Sequence, residues 1–461
     1  MNNFNIDDRY IHSLLEQGHG VSDNHIHAIL DRAEGLSGLS HSDVAALLCS
    51  ADESHWRRVF QIAGDIKRNV YGDRVVMFAP LYVSDSCVND CVYCGFRASN
   101  KTPRRRLSMD ELRQEVRELE QMGHKRLALE AGQDPLGCPI DYILECIREI
   151  YSMKFNNGEI RRVNVNIGAT SEEDYRKLAE AGIGTYILFQ ETYNREAYEA
   201  VHPSGPKADY SYQLTAFDRA MRAGLDDVGG GVLFGLYDYR FEVMALMQHN
   251  EHLERNFGAG LHTISVPRIR DAAGAKNTNF PHAVSDETFR RIVAILRLAV
   301  PYTGLILSTR ETPEMRKTLI MSGISQISAG SRTAVGGYSS PSSQESSGQF
   351  SIVDHRAAGE VVYWLMEEGL VPSFCTACYR MGRTGDRFMQ LAKAGEIRNV
   401  CLPNALFTLK EYALDYGNDR FRAKADELIA KTLPQVADKA TRAKAIENLQ
   451  SLERGQRDVF F

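Results

Sequence analysis

The chain has 461 residues and no apolar run long enough to cross a bilayer. About 20 consecutive apolar residues are needed for that, so a membrane-spanning helix is excluded. No secretory signal is seen at Met1-Asn2-Asn3-Phe4, which makes the cytoplasm the expected compartment. An excess of positive charge is also missing. Lys and Arg number 54 against 60 Asp and Glu, a net charge of −6. That argues against a broad nucleic-acid surface. One basic run stands out, Arg104-Arg105-Arg106 after Lys101, and reads as a solvated loop or a local contact for an anion. Without export, the nine cysteines are not expected to form disulfides. Most informative is the absence of a fourth cysteine wherever cysteines gather.

Six of the nine fall into two groups of three. The first is Cys87-Val-Asn-Asp-Cys91-Val-Tyr-Cys94. The second is Cys375-Thr-Ala-Cys378, followed after 22 residues by Cys401. A structural zinc site or a closed electron-transfer cluster wants four protein ligands. Three thiolates on a four-iron cluster leave one iron open to another ligand. On spacing alone, a zinc site at the second group with His355 as fourth ligand is the competing reading. Cys49, Cys138 and Cys146 are isolated, and Cys49 and Cys146 lie on apolar-patterned helices as buried thiols would.

Apolar residues at 43% and charged residues at 25% describe a globular chain with a large core. Residues 1–74 read as a helical extension, with apolar residues at three-to-four spacing in His25–Ala33, Ser42–Ala51 and Trp56–Val70. Eight short apolar or β-branched runs follow: Val75–Leu81, Arg126–Ala131, Val163–Ile167, Thr185–Phe189, Asp227–Phe234, His262–Val266, Gly304–Ser308 and Gln326–Ala329. Helical patterns separate them. Ser108 three residues before Glu111 forms a capping-box signature, and Phe289, Ile292, Val293, Leu296 and Ala299 make one stripe. Eight strands alternating with helices predict an α/β fold, a (βα)8 TIM barrel over 75–369, with an open doubly wound sheet as the alternative. A serine-rich stretch, Ser339–Ser351, closes the barrel, and 370–461 holds the second cysteine group and further helices. Chemistry in such barrels sits at the C-terminal strand ends. The first cysteine group, Glu130-Ala131-Gly132, Gln190-Glu191-Thr192, His262 and Ser308-Thr309-Arg310 are therefore expected at one mouth.

A CxxxCxxC loop after the first barrel strand resembles the signature of the radical S-adenosylmethionine (SAM) enzymes. The resemblance implies a 4Fe-4S cluster held by Cys87, Cys91 and Cys94, whose open iron chelates SAM. Tyr93 matches the aromatic beside the adenine. Ala131-Gly132-Gln133 stands where the family often has Gly-Gly-Glu, whose backbone receives the cofactor's amine. Gln190 and Glu191, at a strand end, join the expected cofactor site. The stretch Gly231-Val-Leu-Phe-Gly235 resembles the glycine-bearing fifth strand that passes close to the adenine.

The segment Ser373-Phe-Cys-Thr-Ala-Cys-Tyr-Arg-Met-Gly-Arg-Thr-Gly385 resembles the C-terminal region of the HydG family, tyrosine lyases of iron-only hydrogenase maturation. Phe189-Gln-Glu-Thr-Tyr-Asn194 and His262-Thr-Ile-Ser-Val-Pro-Arg268 match as well. The resemblance implies cleavage of the Cα–Cβ bond of L-tyrosine to p-cresol and dehydroglycine. Dehydroglycine is then converted to carbon monoxide and cyanide on a second 4Fe-4S cluster, held by Cys375, Cys378 and Cys401. That cluster carries a labile fifth iron bridged by free L-cysteine, and His262 is the candidate protein ligand to this iron. The product is an iron–carbonyl–cyanide unit for the hydrogenase di-iron centre. Ser308 and Arg310 are the candidate anchors for the tyrosine carboxylate, since Arg grips a carboxylate bidentately. A rim salt bridge from Arg310 to Glu311 or Glu314 is the competing use. Implied partners are hydrogenase maturation proteins and an electron donor such as ferredoxin or flavodoxin. Two other readings stay open: 2-iminoacetate synthase of thiamine biosynthesis, which needs no second cluster, and a non-catalytic iron–sulfur carrier.

Overall fold

In a computed structural model, all residues are described except 1–3, 273–279, 341–346 and 394–396. Met1-Asn2-Asn3 and the middle of the serine-rich stretch thus fall outside the described residues. Strands β1 (Arg74–Ser84), β2 (Arg126–Ala131), β3 (Arg162–Asn166), β4 (Tyr186–Ile187), β5 (Val228–Gly231), β6 (Thr263–Ser265), β7 (Gly304–Leu307) and β8 (Gln326–Ser328) are all parallel. Each pairs with the next, and β8 returns to β1, so the sheet closes. The open sheet is thereby excluded. All eight expected strands are present. The fourth is shorter by strand geometry, yet its ladder runs on, since Leu188 N–H and Gln190 N–H donate to the carbonyls of Gly229 and Gly231.

A ninth strand, β9 (Val371–Ser373), was not foreseen. It pairs with Arg74–Val76 of β1, below the point where β2 begins pairing at Ala79. Its three residues include Pro372, which cannot donate to a ladder and hides a strand from sequence patterning. The strand matters because it delivers Cys375 to the N-terminal end of the barrel.

Helices form where the patterning places them. Ser108 Oγ accepts from Glu111 N–H while Glu111 Oε2 accepts from Ser108 N–H, the reciprocal cap. The stripe Phe289, Ile292, Val293 and Leu296 is fully buried, each side chain contributing roughly 1.5–3 kcal/mol. In the N-terminal extension, Asp8–Gly18 packs on Tyr239–Phe257, and Glu53–Tyr71 packs on Asp286–Ala299. At the other end, Ile397–Tyr416 packs on β9 and on two later helices, Asp419–Thr432 and Lys439–Glu453. No helix among the described residues is long and apolar enough to cross a membrane.

Candidate functional site: two mouths of one barrel

At the C-terminal mouth, a bulge in β1 between Tyr82 and Ser84 redirects the chain into the first cysteine loop. The loop is held from several sides. Arg97 pairs bidentately with Asp90 at 2.9 Å. Arg104 donates to the carbonyls of Gly95, Arg97 and Asn100, and Arg106 to that of Gly137. The basic run is therefore largely spent on bracing backbone. Gln133 accepts from Asn89 Nδ2 at 2.7 Å, and Asn89 Nδ2 lies 3.7 Å from Cys87 Sγ. Gly132 is required here, because a Cβ would stand 2.3 Å from the Ser86 carbonyl oxygen.

Cys87, Cys91 and Cys94 share the wall of a cavity of about 190 Å³ that fills the upper lumen. Burial pushes the Cys91 thiol up to about 11 and that of Cys94 to about 12, so a bound cation is what would deprotonate them. Phe96 N–H already points at Cys94 Sγ, 3.4 Å away. Three sulfurs on one wall with a donor on sulfur, and no fourth thiol on that wall, fit a cluster with one open iron.

Tyr93, Ala131, Gly132, Glu191, Ser308 and Arg310 line the same cavity. Tyr93 is fixed by a hydrogen bond to His202 Nε2 at 2.8 Å. Glu191 has φ +69°, a left-handed conformation costing a non-glycine residue of order 1–3 kcal/mol. Glu242, whose carboxyl burial pushes up to about 8, holds that turn by accepting from Thr192 Oγ1 and Tyr193 N–H. Gln190, Gly231 and Gly235 do not line the cavity; Leu233, between the two glycines, does. Gly231 leaves room for the Phe189 ring, 2.5 Å from where a Cβ would be.

Arg310 has no carboxylate partner among the described residues. Glu311 is taken by Arg268 and Arg270, so the competing rim bridge to it does not form. The Arg310 guanidinium instead lies 3.5 Å over the Phe350 ring, and its Nε is buried without a hydrogen bond. Burial works against its charge, while Tyr82, Glu191 and Glu130 face it. An enclosed cation with unused donors suits a carboxylate.

One lumen residue, Lys207, escaped the sequence reading, and Glu130 was expected at the mouth but given no role. Lys207 pairs with Glu191 at 2.6 Å. Burial opposes the Lys207 charge, but Glu191 and Cys91 outweigh it and raise its pKa. It sits 16 residues beyond its partner, on a short 3₁₀ turn that no periodicity marks. Glu130 touches the cavity and is half-buried, and desolvation pushes its carboxyl up to about 7 against the pull of Tyr82 and Arg310. Only its place at a strand end signalled it.

The second cysteine group is at the opposite, N-terminal mouth, and here one expectation is corrected. His262 does not join the first group. It precedes Thr263, the first residue of β6, so it opens the strand and faces the other end. Its ring lies 4.6 Å from Phe388 and 6.1 Å from Tyr379, and its Nδ1 is 3.3 Å from Asp227. Burial pushes its pKa down more than Asp227 pulls it up, leaving a neutral, ligand-competent imidazole. Around it, strand starts supply a polar ring: Arg74, Arg126, Arg162, Thr185, Asp227 and Gln326. Tyr379 plugs the ring, bonding Arg126 at 3.1 Å and Thr185 Oγ1 at 2.9 Å.

The Cys378 and Cys401 thiols face each other closely, and Cys375 is near enough to Cys401 for that neighbour to raise its pKa. Its neighbour Cys378, then the Arg74 and Arg383 guanidiniums, pull the Cys401 thiol down. Ala377 N–H points at Cys375 Sγ, 3.4 Å away. Soft sulfurs, two facing guanidiniums and a nearby neutral imidazole fit an iron–sulfur group. His355 is not brought there. It is exposed and follows Asp354, which bonds Thr309 at the other mouth.

Comparison with known proteins agrees with this architecture. Residues 81–248 match the model of the Radical SAM superfamily, and 265–371 that of the Biotin and Thiamin Synthesis associated domain. The barrel and its cysteine loop thus define a radical SAM enzyme. A crystal structure described as HydG, a maturase of the [FeFe]-hydrogenase, superposes with a TM-score of 0.95 at 52% identity, covering 99% of both chains. HydG from Carboxydothermus hydrogenoformans gives 0.84 at 36% identity, covering 96% of this chain and 97% of that one. The 2-iminoacetate synthase of Escherichia coli K12 is 31% identical over 356 residues, 76% of this chain and 91% of its own. The chain belongs to the HydG family.

Proposed function

We propose that the protein is a tyrosine lyase of hydrogenase maturation. It would cleave L-tyrosine at the C-terminal mouth and build an iron–carbonyl–cyanide unit at the N-terminal mouth. The observation that carries this reading is one barrel with a three-thiol group at each mouth and, on the cavity of the first group, an arginine that has no carboxylate partner among the described residues. A 2-iminoacetate synthase has no use for the second group, and a carrier has no use for the lumen.

When bound, an iron–sulfur cluster with SAM supplies one-electron radical chemistry at the first mouth. Cys87, Cys91 and Cys94 would hold the cluster. Tyr93 would flank the adenine, and the backbone at Ala131-Gly132 would receive the amine of SAM. Lys207, steadied by Glu191, offers a cation to its carboxylate. Arg310 and Ser308 would grip the tyrosine carboxylate and set the amino group toward the cluster. The barrel walls around the cavity would limit the access of water to a reactive intermediate. Fragments released from tyrosine would have to cross the barrel interior and pass Tyr379 to reach the second mouth. There Cys375, Cys378 and Cys401 would hold the second 4Fe-4S cluster. His262 would hold a fifth iron there, with free L-cysteine as a further ligand. Ferredoxin or flavodoxin would supply the electron, and hydrogenase maturation proteins would take the product.

The test is anaerobic incubation of the reconstituted protein with SAM, tyrosine and a reductant. The reading expects p-cresol together with carbon monoxide and cyanide. p-Cresol without carbon monoxide would favour the thiamine-pathway activity, and no p-cresol would favour a carrier.

A further inference from the structure

The second thiol group is assembled from two separate segments, and a third segment ties them together. Cys375 and Cys378 belong to the stretch running from β9 into the short helix Ala377–Arg380. Cys401 belongs to the helix Ile397–Tyr416. Residues 457–461 cross from one to the other. Arg383 Nη2 donates to the Phe461 carbonyl oxygen at 2.6 Å, while Phe461 N–H donates to Asn404 Oδ1 at 2.9 Å. Asn404 is 1% exposed and stands three residues after Cys401. The Asp458 carboxylate takes both Arg380 nitrogens and the barrel's Arg161 at 3.0 Å, and Asp458 N–H donates to Glu411 Oε2 at 3.0 Å. Glu411 in turn pairs with Arg161 in a buried bridge. Phe460 lies under the Arg380 guanidinium, and Phe461 packs on Phe407.

We propose that residues 457–461 are a strap that positions the three thiols of the second cluster, a role that rests on the reading of that group as a cluster site. Arg383 is the link of most consequence, because the same guanidinium that is held by the Phe461 carbonyl faces Cys378 and Cys401. Asp458 fixes the strap against both the barrel and the Cys378 segment. It does so from a left-handed backbone, φ 56°, which Asp and Asn tolerate better than most side chains. The first cysteine loop is at the opposite mouth of the barrel.

Two variants test this. Asp458→Asn keeps the backbone preference and removes the charge. Deletion of 457–461 removes the whole strap. Each is reconstituted anaerobically beside the parent protein. Iron content, the electron paramagnetic resonance signals of the two clusters and p-cresol formation are then followed. The strap predicts a selective loss: weaker second-cluster and fifth-iron signals, with the first-cluster signal and p-cresol retained. For Asp458→Asn the second cluster should be lost to a chelator about tenfold faster, the scale of one charge-assisted hydrogen bond. Equal loss of both clusters would mean a general packing role and overturn the proposal, as would parental second-cluster signals in both variants. A parent protein with no second cluster would overturn the reading of the site, and the strap with it.

Discussion

The two mouths of the barrel are built by opposite means. At the C-terminal mouth the three thiols come from one loop of eight residues, Cys87–Cys94, and the groups that brace it are mostly loop neighbours such as Asp90, Arg97 and Arg104. At the N-terminal mouth the thiols come from a strand extension and a distant helix, over a ring of residues that open the strands. In (βα)8 barrels the N-terminal face ordinarily serves stability. Here that face carries arginines and a half-buried histidine close to sulfur, and three of the arginines have buried nitrogens without a partner: Arg74 Nε, Arg126 Nε and Arg162 Nε. Unpartnered buried polar atoms are costly unless a ligand or water uses them. The difference teaches that a short-range site can be carried by a loop, whereas a second site on the same barrel needs a long-range frame.

The largest test of this division is Cys91→Ala. Loss of one of three ligands should abolish SAM cleavage while the fold persists, checked as 5′-deoxyadenosine release after anaerobic reconstitution. Retained release would remove the first mouth from the chemistry. Next is Cys375→Ala with Cys378→Ala. p-Cresol should continue and the iron–carbonyl–cyanide product should disappear, seen by infrared spectroscopy of the reaction. If that product formed at the usual rate, the two mouths would not divide the work.

Within the lumen, Arg310→Lys should raise the KM for tyrosine about ten- to a hundredfold, since a lysine keeps the charge but loses the bidentate grip. An unchanged KM would place the carboxylate elsewhere. At the second mouth, His262→Ala should lower iron content by one atom and not by four, with tyrosine cleavage intact. Water replacing the imidazole would leave partial occupancy. Full occupancy of the fifth iron would reject His262 as its tether.

The legibility of the sequence followed the same divide. The eight strands, the capping box at Ser108 and the cysteine loop were readable because each is a local pattern. The mouth to which His262 belongs was not, because a one-end shift along a strand leaves periodicity unchanged while moving the residue across the barrel. Strand β9 was hidden by its length and by Pro372. Lys207 and Glu242 act through distant partners, Glu191 and the Thr192 turn, and neither carries a spacing signal. The strap at 457–461 is invisible for the same reason: its bonds reach back to Arg161, Arg380, Arg383 and Asn404.

The smallest and sharpest comparison concerns Glu130, which separates the chemistry of the lumen from its stability. Its carboxyl is raised from an ordinary 4.5 to about 7, because the lumen desolvates the carboxylate more than Tyr82 and Arg310 compensate. Below pH 4.5 the group is neutral in both folded and unfolded chains and has no effect. As pH rises from there to 7, the unfolded chain gives up the proton and the folded one keeps it. Stability therefore falls across that window, by at most about 3 kcal/mol, and then levels off. Glu130→Gln should remove this slope, measured as the difference in denaturation midpoint between pH 5 and pH 8. A slope equal to that of the parent protein would show that Glu130 is ionised in the fold at low pH. The same residue bears on substrate binding. While neutral, it leaves the Arg310 charge for the tyrosine carboxylate; once ionised, it competes for that charge. The KM for tyrosine should accordingly rise above pH 7 in the parent protein and stay flat in Glu130→Gln.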